Sequence, residues 1–167
     1  MIVAMLLSVV AFAQKQYDAD FTQTRVLKGP KKTTTEMAGH LSFDGVDHLT
    51  MDYTEPFGEF FHISGNTVSM DLNGTQTILD ASKVPMVKLQ RATLLNCISG
   101  NWEQAAIDNN AETTVTEKDG MRHVVINVKG KPKGGYKSVE LTYCLKDNAI
   151  VKMVLEDAIF VNTYEMH

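Results

Sequence analysis

The five histidines, His40, His48, His62, His123 and His167, are the first residues to test for chemistry, because imidazole serves both metal binding and proton transfer. None lies in an H-E-x-x-H pattern or beside a cysteine cluster, so metal-ligand spacing is absent and the histidines read as scattered surface residues. Residues 130–138, Gly130-Lys131-Pro132-Lys133-Gly134-Gly135-Tyr136-Lys137-Ser138, approach a phosphate loop. Tyr136 stands where the lysine belongs, however, and strand residues follow where a helix should, so this segment reads as a hairpin turn. There is no G-x-S-x-G elbow, and Asp44 with Asp47 suits turn chemistry better than a general acid and base. The expectation is a non-catalytic protein without a cofactor or metal.

The elements that carry these residues are mostly strands. Within residues 21–74, Met37, Gly39, Leu41 and Phe43, then Leu49, Met51 and Tyr53, recur at every second position, while His40, Ser42, Thr50 and Asp52 face the other way. That is the period of half-buried strands. Turn signals follow at short intervals: Gly29-Pro30, Asp44-Gly45, Glu55-Pro56, Gly65-Asn66, Asn73-Gly74, Asp119-Gly120, Gly134-Gly135 and Asp147-Asn148. Between the later ones, Val124, Ile126 and Val128, then Val139, Leu141 and Tyr143, then Val151, Met153 and Leu155 repeat the spacing. A curved antiparallel meander is expected, with one apolar face that must be covered.

Residues 84–108 break the pattern. Val84-Pro85 starts a helix, Val87, Leu94, Leu95 and Ile98 share one face, and Ser99-Gly100 stops it. Asn101 with Gln104 resembles a capping box opening a second helix from Trp102 to about Asp108. The first helix is apolar beyond one stripe, since Met86, Leu89 and Cys97 project away from the Val87 side and leave Lys88, Ala92 and Asn96 as the wettest strip. Such a helix is either deeply packed or covers something removable.

The chain has 167 residues, 44% of them hydrophobic and 22% charged, with a formal net charge of -4. These values fit one globular domain and exclude disorder, a membrane bundle and the basic excess that nucleic acid requires. Residues 2–12 are an almost unbroken apolar run ending Ala11-Phe12-Ala13, too short to span a bilayer. They read as a signal-peptide core with cleavage before Gln14; an uncleaved anchor or a buried strand is the alternative. The expected organisation is a signal peptide over residues 1–13 and a single domain over 14–167, exported to the periplasm. Cys97 and Cys144 fall on opposite sides of the expected sheet, so both are expected as free thiols.

The order Phe21-Thr22-Gln23, Gly39-His40-Leu41, then the run from Leu49 through Met51, Asp52 and Tyr53 to Glu55-Pro56, then Ile63-Ser64-Gly65-Asn66, resembles the LolA lipoprotein-carrier family. There F-T-Q, G-x-L, F-x-W-x-x-x-x-P and a strand entering a glycine turn occur in that order. The resemblance covers most of the mature chain. It implies a mainly β, α+β fold: an incomplete antiparallel β-barrel covered by a lid of short helices. It also implies a periplasmic carrier that takes up the acyl chains of lipoproteins from an inner-membrane donor complex and hands them to an outer-membrane acceptor. Gly45-Val46 occupy the family's Arg-Pro positions and Met51 its tryptophan, and only residues 14–20 fill the interval of its N-terminal helix, so a shortened variant is expected.

Two function classes follow. One is a carrier whose groove shields acyl chains of a lipoprotein, a glycerolipid or an acylated pigment. The other is a sensor or adaptor whose apolar face is permanently filled. The groove residues expected in the first are Phe21, Leu41, Phe43, Leu49, Met51, Tyr53, Ile63, Met70, Met86, Val87, Leu94, Leu95, Ile98, Leu141, Tyr143 and Met153. Met suits such a surface because its unbranched thioether repacks around different ligands. Arg91 lies among the apolar residues of the helix face. Either its stem packs while its head reaches solvent, or it bonds lid or sheet carbonyls and gates the groove in place of the family arginine missing at Gly45. Basic clusters at Arg25, Lys28, Lys31 and Lys32 and at Lys129, Lys131, Lys133 and Lys137 either blunt exposed hairpins or, if they share a rim, face an anionic surface.

Overall fold

The computed structural model describes residues 15–167, and the expected signal segment, residues 1–13, lies outside the described residues. Six strands come first: β1 (Tyr17–Leu27), β2 (Thr34–Phe43), β3 (His48–Glu55), β4 (Phe60–Ser64), β5 (Thr67–Leu72) and β6 (Thr75–Asp80). Helices α1 (Pro85–Ser99) and α2 (Trp102–Asp108) follow, then β7 (Ala111–Lys118), β8 (Met121–Val128), β9 (Ser138–Cys144), β10 (Ile150–Glu156) and β11 (Phe160–Met166).

All eleven strands form one antiparallel sheet in the order β6-β5-β4-β3-β2-β1-β11-β10-β9-β8-β7. The first and last strands meet at its centre, where Phe21 pairs with Met166 and Leu27 with Phe160. Strands β6 and β7 are left as edges, so the barrel is incomplete. The chain passes from one edge to the other through α1 and α2, which is why the helices lie across the apolar face. The expected incomplete barrel with a helical lid is therefore the architecture observed.

Alternation works as expected in β2 and β3, where Met37, Leu41, Phe43, Leu49, Met51 and Tyr53 are buried. The tight hairpins Asn73-Gly74 and Asp119-Gly120 have positive φ at all four residues, the backbone of a two-residue turn that matches strand twist. Gly39 is required for another reason. A side chain there would collide with the Asp52 carbonyl and the Phe21 ring, which lies over the glycine from the neighbouring strand.

Several expectations are corrected. Val151 was expected inward, but a bulge between Ile150 and Lys152 turns Ile150 into the core and leaves Val151 half-buried. The second helix forms without its capping box: Asn101 makes no side-chain cap, its Nδ2 donates to Asn96 Oδ1, and Gln104 donates to Asp108. Strands β7 and β11 carry no clean alternation in sequence. The first is an exposed edge of Thr, Glu and Lys, and the second has no fully buried residue before Met166.

Helix α2 packs against α1, while on the second apolar side of α1 Leu89 lies against Gly134 of the β8–β9 loop and Met86 stays exposed. Thr93 and Cys97 are buried, and Asn109 Nδ2 donates to Thr93 Oγ1 at 2.8 Å and to the Ala105 carbonyl at 2.8 Å. Gly100, at φ 85, closes α1 in the left-handed conformation. Tyr143 Oη donates to the Cys97 carbonyl at 2.5 Å, fixing that end of the helix to the sheet. Burial raises the Cys97 thiol to about 12. Cys144 is half-buried on the other face of its strand, and both thiols are free.

Candidate functional site

Between α1 and the sheet lies a cavity of about 140 Å³. Alternate positions of β3 and β5 supply Met51, Tyr53, Val68, Met70 and Leu72, while Phe61 comes from β4 and Leu79 from β6. Strands β10 and β11 add Met153, Leu155 and Tyr164, the β8–β9 loop adds Tyr136, and α1 closes the space with Val87, Gln90, Arg91, Leu94 and Ile98. Arg25 of β1 completes the wall.

Of the residues expected in a groove, the cavity brings together Met51, Tyr53, Met70, Val87, Leu94, Ile98 and Met153. Phe21, Leu41, Leu49, Ile63, Leu141 and Tyr143 are buried in the core outside it. Phe43 and Leu95 border a separate open cleft of about 850 Å³ beside Val46, Trp102 and Asn148. Met86, 49% exposed, faces solvent.

Arg25, Phe61, Val68, Leu72, Leu79, Gln90, Tyr136, Leu155 and Tyr164 are lining residues that were not expected. Phe61, Val68 and Leu72 are visible in retrospect as alternate positions beside Ile63 and Met70. Arg25 and Tyr164 are not, because polar residues at inward positions interrupt the alternation that marks a buried face.

Arg91 occupies the edge of the cavity. Its Nε donates to the Gly65 carbonyl of the β4–β5 turn at 2.5 Å, and its Nη2 lies 4.0 Å from Asp47 Oδ2. The side chain is only 18% exposed, so this is a bond between helix and sheet rather than a head reaching into water.

A polar network lies beneath the apolar wall. Tyr53 Oη donates to Gln23 Oε1 at 2.6 Å, and Gln23 Nε2 donates to Asn162 Oδ1 at 2.9 Å. The same oxygen accepts from Arg25 Nε at 3.0 Å. Gln23 is fully buried, and its side chain is satisfied by these partners. Burial drives the Tyr53 phenol well above its ordinary range, so it stays a neutral donor.

Outside the cavity, three ligand-type residues converge although their spacing predicted none to do so: Asp44, Asp47 and His48. Asp44 Oδ1 accepts from the backbone N–H groups of Val46 at 2.7 Å and of Asp47 and His48, each at 3.1 Å. These bonds, led by that from Val46, hold its carboxyl below the usual range. His48 Nδ1 sits 3.1 Å from Asp44 Oδ2 and 2.8 Å from Asp47 Oδ1. The cluster is turn chemistry satisfied from within.

The two basic clusters share one rim. Lys28 N donates to the Ile159 carbonyl at 2.7 Å and Lys137 N to the Glu156 carbonyl at 2.7 Å, so both loops flank the β10–β11 turn. Lys28 Nζ is paired with Glu156 at 2.6 Å and Lys129 with Glu112 at 2.8 Å.

No protein-family model matches the sequence, and no curated protein does. Solved structures similar to the chain include a LolA superfamily protein from Nitrosomonas europaea, 9% identical, with 93% of this chain and 86% of that one covered and a TM-score of 0.41. The lipoprotein LppX from Mycobacterium tuberculosis is 10% identical, with 90% and 84% covered and a TM-score of 0.36. LprF from Mycobacterium bovis is 10% identical, with 89% and 84% covered and a TM-score of 0.33.

Proposed function

We propose that this protein is a non-catalytic carrier that shields the acyl chains of a lipoprotein or another lipid between α1 and the sheet, acting in the periplasm. The observation that carries the reading is the apolar cavity beneath a helix whose bond to the β4–β5 turn runs through one side chain, Arg91. Met51, Met70 and Met153 in its wall give the surface the adaptability a variable cargo needs. The order of the sequence motifs supports the same reading.

Magnitude sets what the lid must do. Burying about 15 methylenes is worth about 12 kcal/mol gross, before ordering costs. A cavity of about 140 Å³ is the size that holds one benzene ring, not such a chain. The described conformation is thus a closed one, and in this reading cargo enters as α1 moves away from the β4–β5 turn. Donor and acceptor complexes at the two membranes belong to this reading.

The small cavity also favours a second reading, an adaptor whose apolar face is filled by its own side chains. Native mass spectrometry of protein purified without detergent separates the two. A co-purifying lipid supports the carrier, and a consistently empty protein that takes up no acyl chain on titration supports the adaptor.

A further inference from the structure

Two guanidinium groups reach the cavity wall, and they differ in what they are bonded to. Arg91 is committed to the Gly65 carbonyl and approaches Asp47. Arg25 is half-buried, has no carboxylate within 4.0 Å among the described residues, and uses only Nε, on Asn162 Oδ1. Its two Nη groups have no hydrogen-bond partner among the described residues. The guanidinium also stands 5.5 Å from the centroid of the Phe160 ring.

This arrangement fixes the head of the side chain without neutralising it. Asn162 is itself held by Gln23, so the Nε edge is anchored and the Nη pair is presented as a planar fork. No buried side-chain nitrogen lacks a partner among the described residues, so the unbonded Nη atoms of Arg25 are open to solvent, and therefore to an incoming ligand, with no carboxylate already set against them. The chemistry that completes it is a carboxylate or phosphate, which accepts two parallel bonds from the fork, attached to a tail that suits the rest of the wall.

We propose that the cavity takes a single-chain amphiphile with an anionic head group, the head pairing with Arg25 while the tail lies against Met51, Met70 and Leu94 beneath α1. This rests on the carrier reading and adds the charge of the cargo's head to it. Arg25 sets head-group preference, and Arg91 holds the helix.

The test is calorimetric titration of the full chain with dodecanoate, dodecyl phosphate and dodecanol, each below its aggregation concentration, on wild type, Arg25→Met and Arg25→Lys. In wild type, at least one of the two anions binds about tenfold or more tightly than the alcohol, as a charge-assisted pair demands; which anion does so identifies the head. Arg25→Met abolishes the preference and brings the anions to the level of the alcohol, while Arg25→Lys keeps part of it. Equal binding of acid, phosphate and alcohol to wild type overturns the head-group assignment and leaves the carrier reading standing. Equal weakening of all three ligands by Arg25→Met also overturns it, because that is the mark of a structural residue. If none of the three binds wild type, the carrier reading and this proposal fall together.

Discussion

Arg91 on α1 donates from Nε to the carbonyl oxygen of Gly65 at 2.5 Å, joining the lid helix to the turn between β4 and β5. The helix is also held by Asn109 on Thr93, two residues from Arg91, and by Tyr143 on the Cys97 carbonyl near its C-terminal end. In the proposed carrier reading, lifting α1 from the β4–β5 turn breaks the Arg91 bond. Arg91→Met keeps the apolar stem and removes the bond. It is expected to speed release of a bound fluorescent fatty acid about tenfold, the equivalent of about 1.4 kcal/mol for one bond to a charged group. Stopped-flow dilution measures this, and an unchanged release rate sinks the gating role.

Met51 and Leu94 both line the cavity, one from β3 and the other from α1, and both are buried. Met51→Asp and Leu94→Asp place an uncompensated carboxylate there and are expected to abolish acyl uptake, at a stability cost of about 1–3 kcal/mol. Met70→Asp is the milder partner, because Met70 is only half-buried. All three should retain a single cooperative thermal transition while losing binding. Wild-type affinity in any variant that remains folded would remove its residue from the site.

Phe21 and Gly39 explain why two short motifs far apart in the chain belong together. The Phe21 ring fills the space above Gly39 and meets Tyr53 edge-on, with centroids 5.3 Å apart and planes at 89°. Gly39→Ala is expected to cost about 1–3 kcal/mol through overpacking against the Asp52 carbonyl, which cannot retreat as a side chain tip can. Urea denaturation checks it, and a loss under a few tenths of a kcal/mol contradicts the account.

His40 bridges two carboxylates on the outer face of the sheet, with Nδ1 2.8 Å from Asp20 and Nε2 3.0 Å from Asp18. Bonding to Asp20, then to Asp18, raises its pKa. A raised folded value means that the protonated form is favoured by folding. Its contribution is complete below about pH 6.5, the unfolded value, and disappears as pH rises through the folded one. Stability should decline slightly over that interval, and His40→Gln should remove the decline. The effect is small because the pair is exposed. An NMR titration of His40 with a midpoint at or below that of a free histidine refutes the assignment.

Much of the fold could be read without coordinates. In β2, β3, β8 and β9 the alternation of Leu41 with His40 or Leu141 with Glu140 states which face is buried, because a strand's side chains can only point two ways. Turn dipeptides such as Asn73-Gly74 and Asp119-Gly120 mark their hairpins by the backbone that they alone tolerate cheaply. The start and stop of α1, and the apolar excess that demanded more than one packing partner for it, were equally local statements.

What lay beyond the sequence was everything that depends on which strands become neighbours. The pairing of β1 with β11 joins residues about 140 positions apart, and it alone brings Arg25 and Gln23 onto Asn162. The bond from Arg91 to Gly65 likewise needs the turn of one hairpin beneath a helix that follows it in the chain. Residue types named the apolar candidates, but the separation of Met51 and Met70 in the cavity wall from Leu41 and Leu141 in the solid core was decided by packing. Alternation fixes the face on which a side chain lies, and only the curvature of the sheet and the position of α1 fix whether anything stands opposite it.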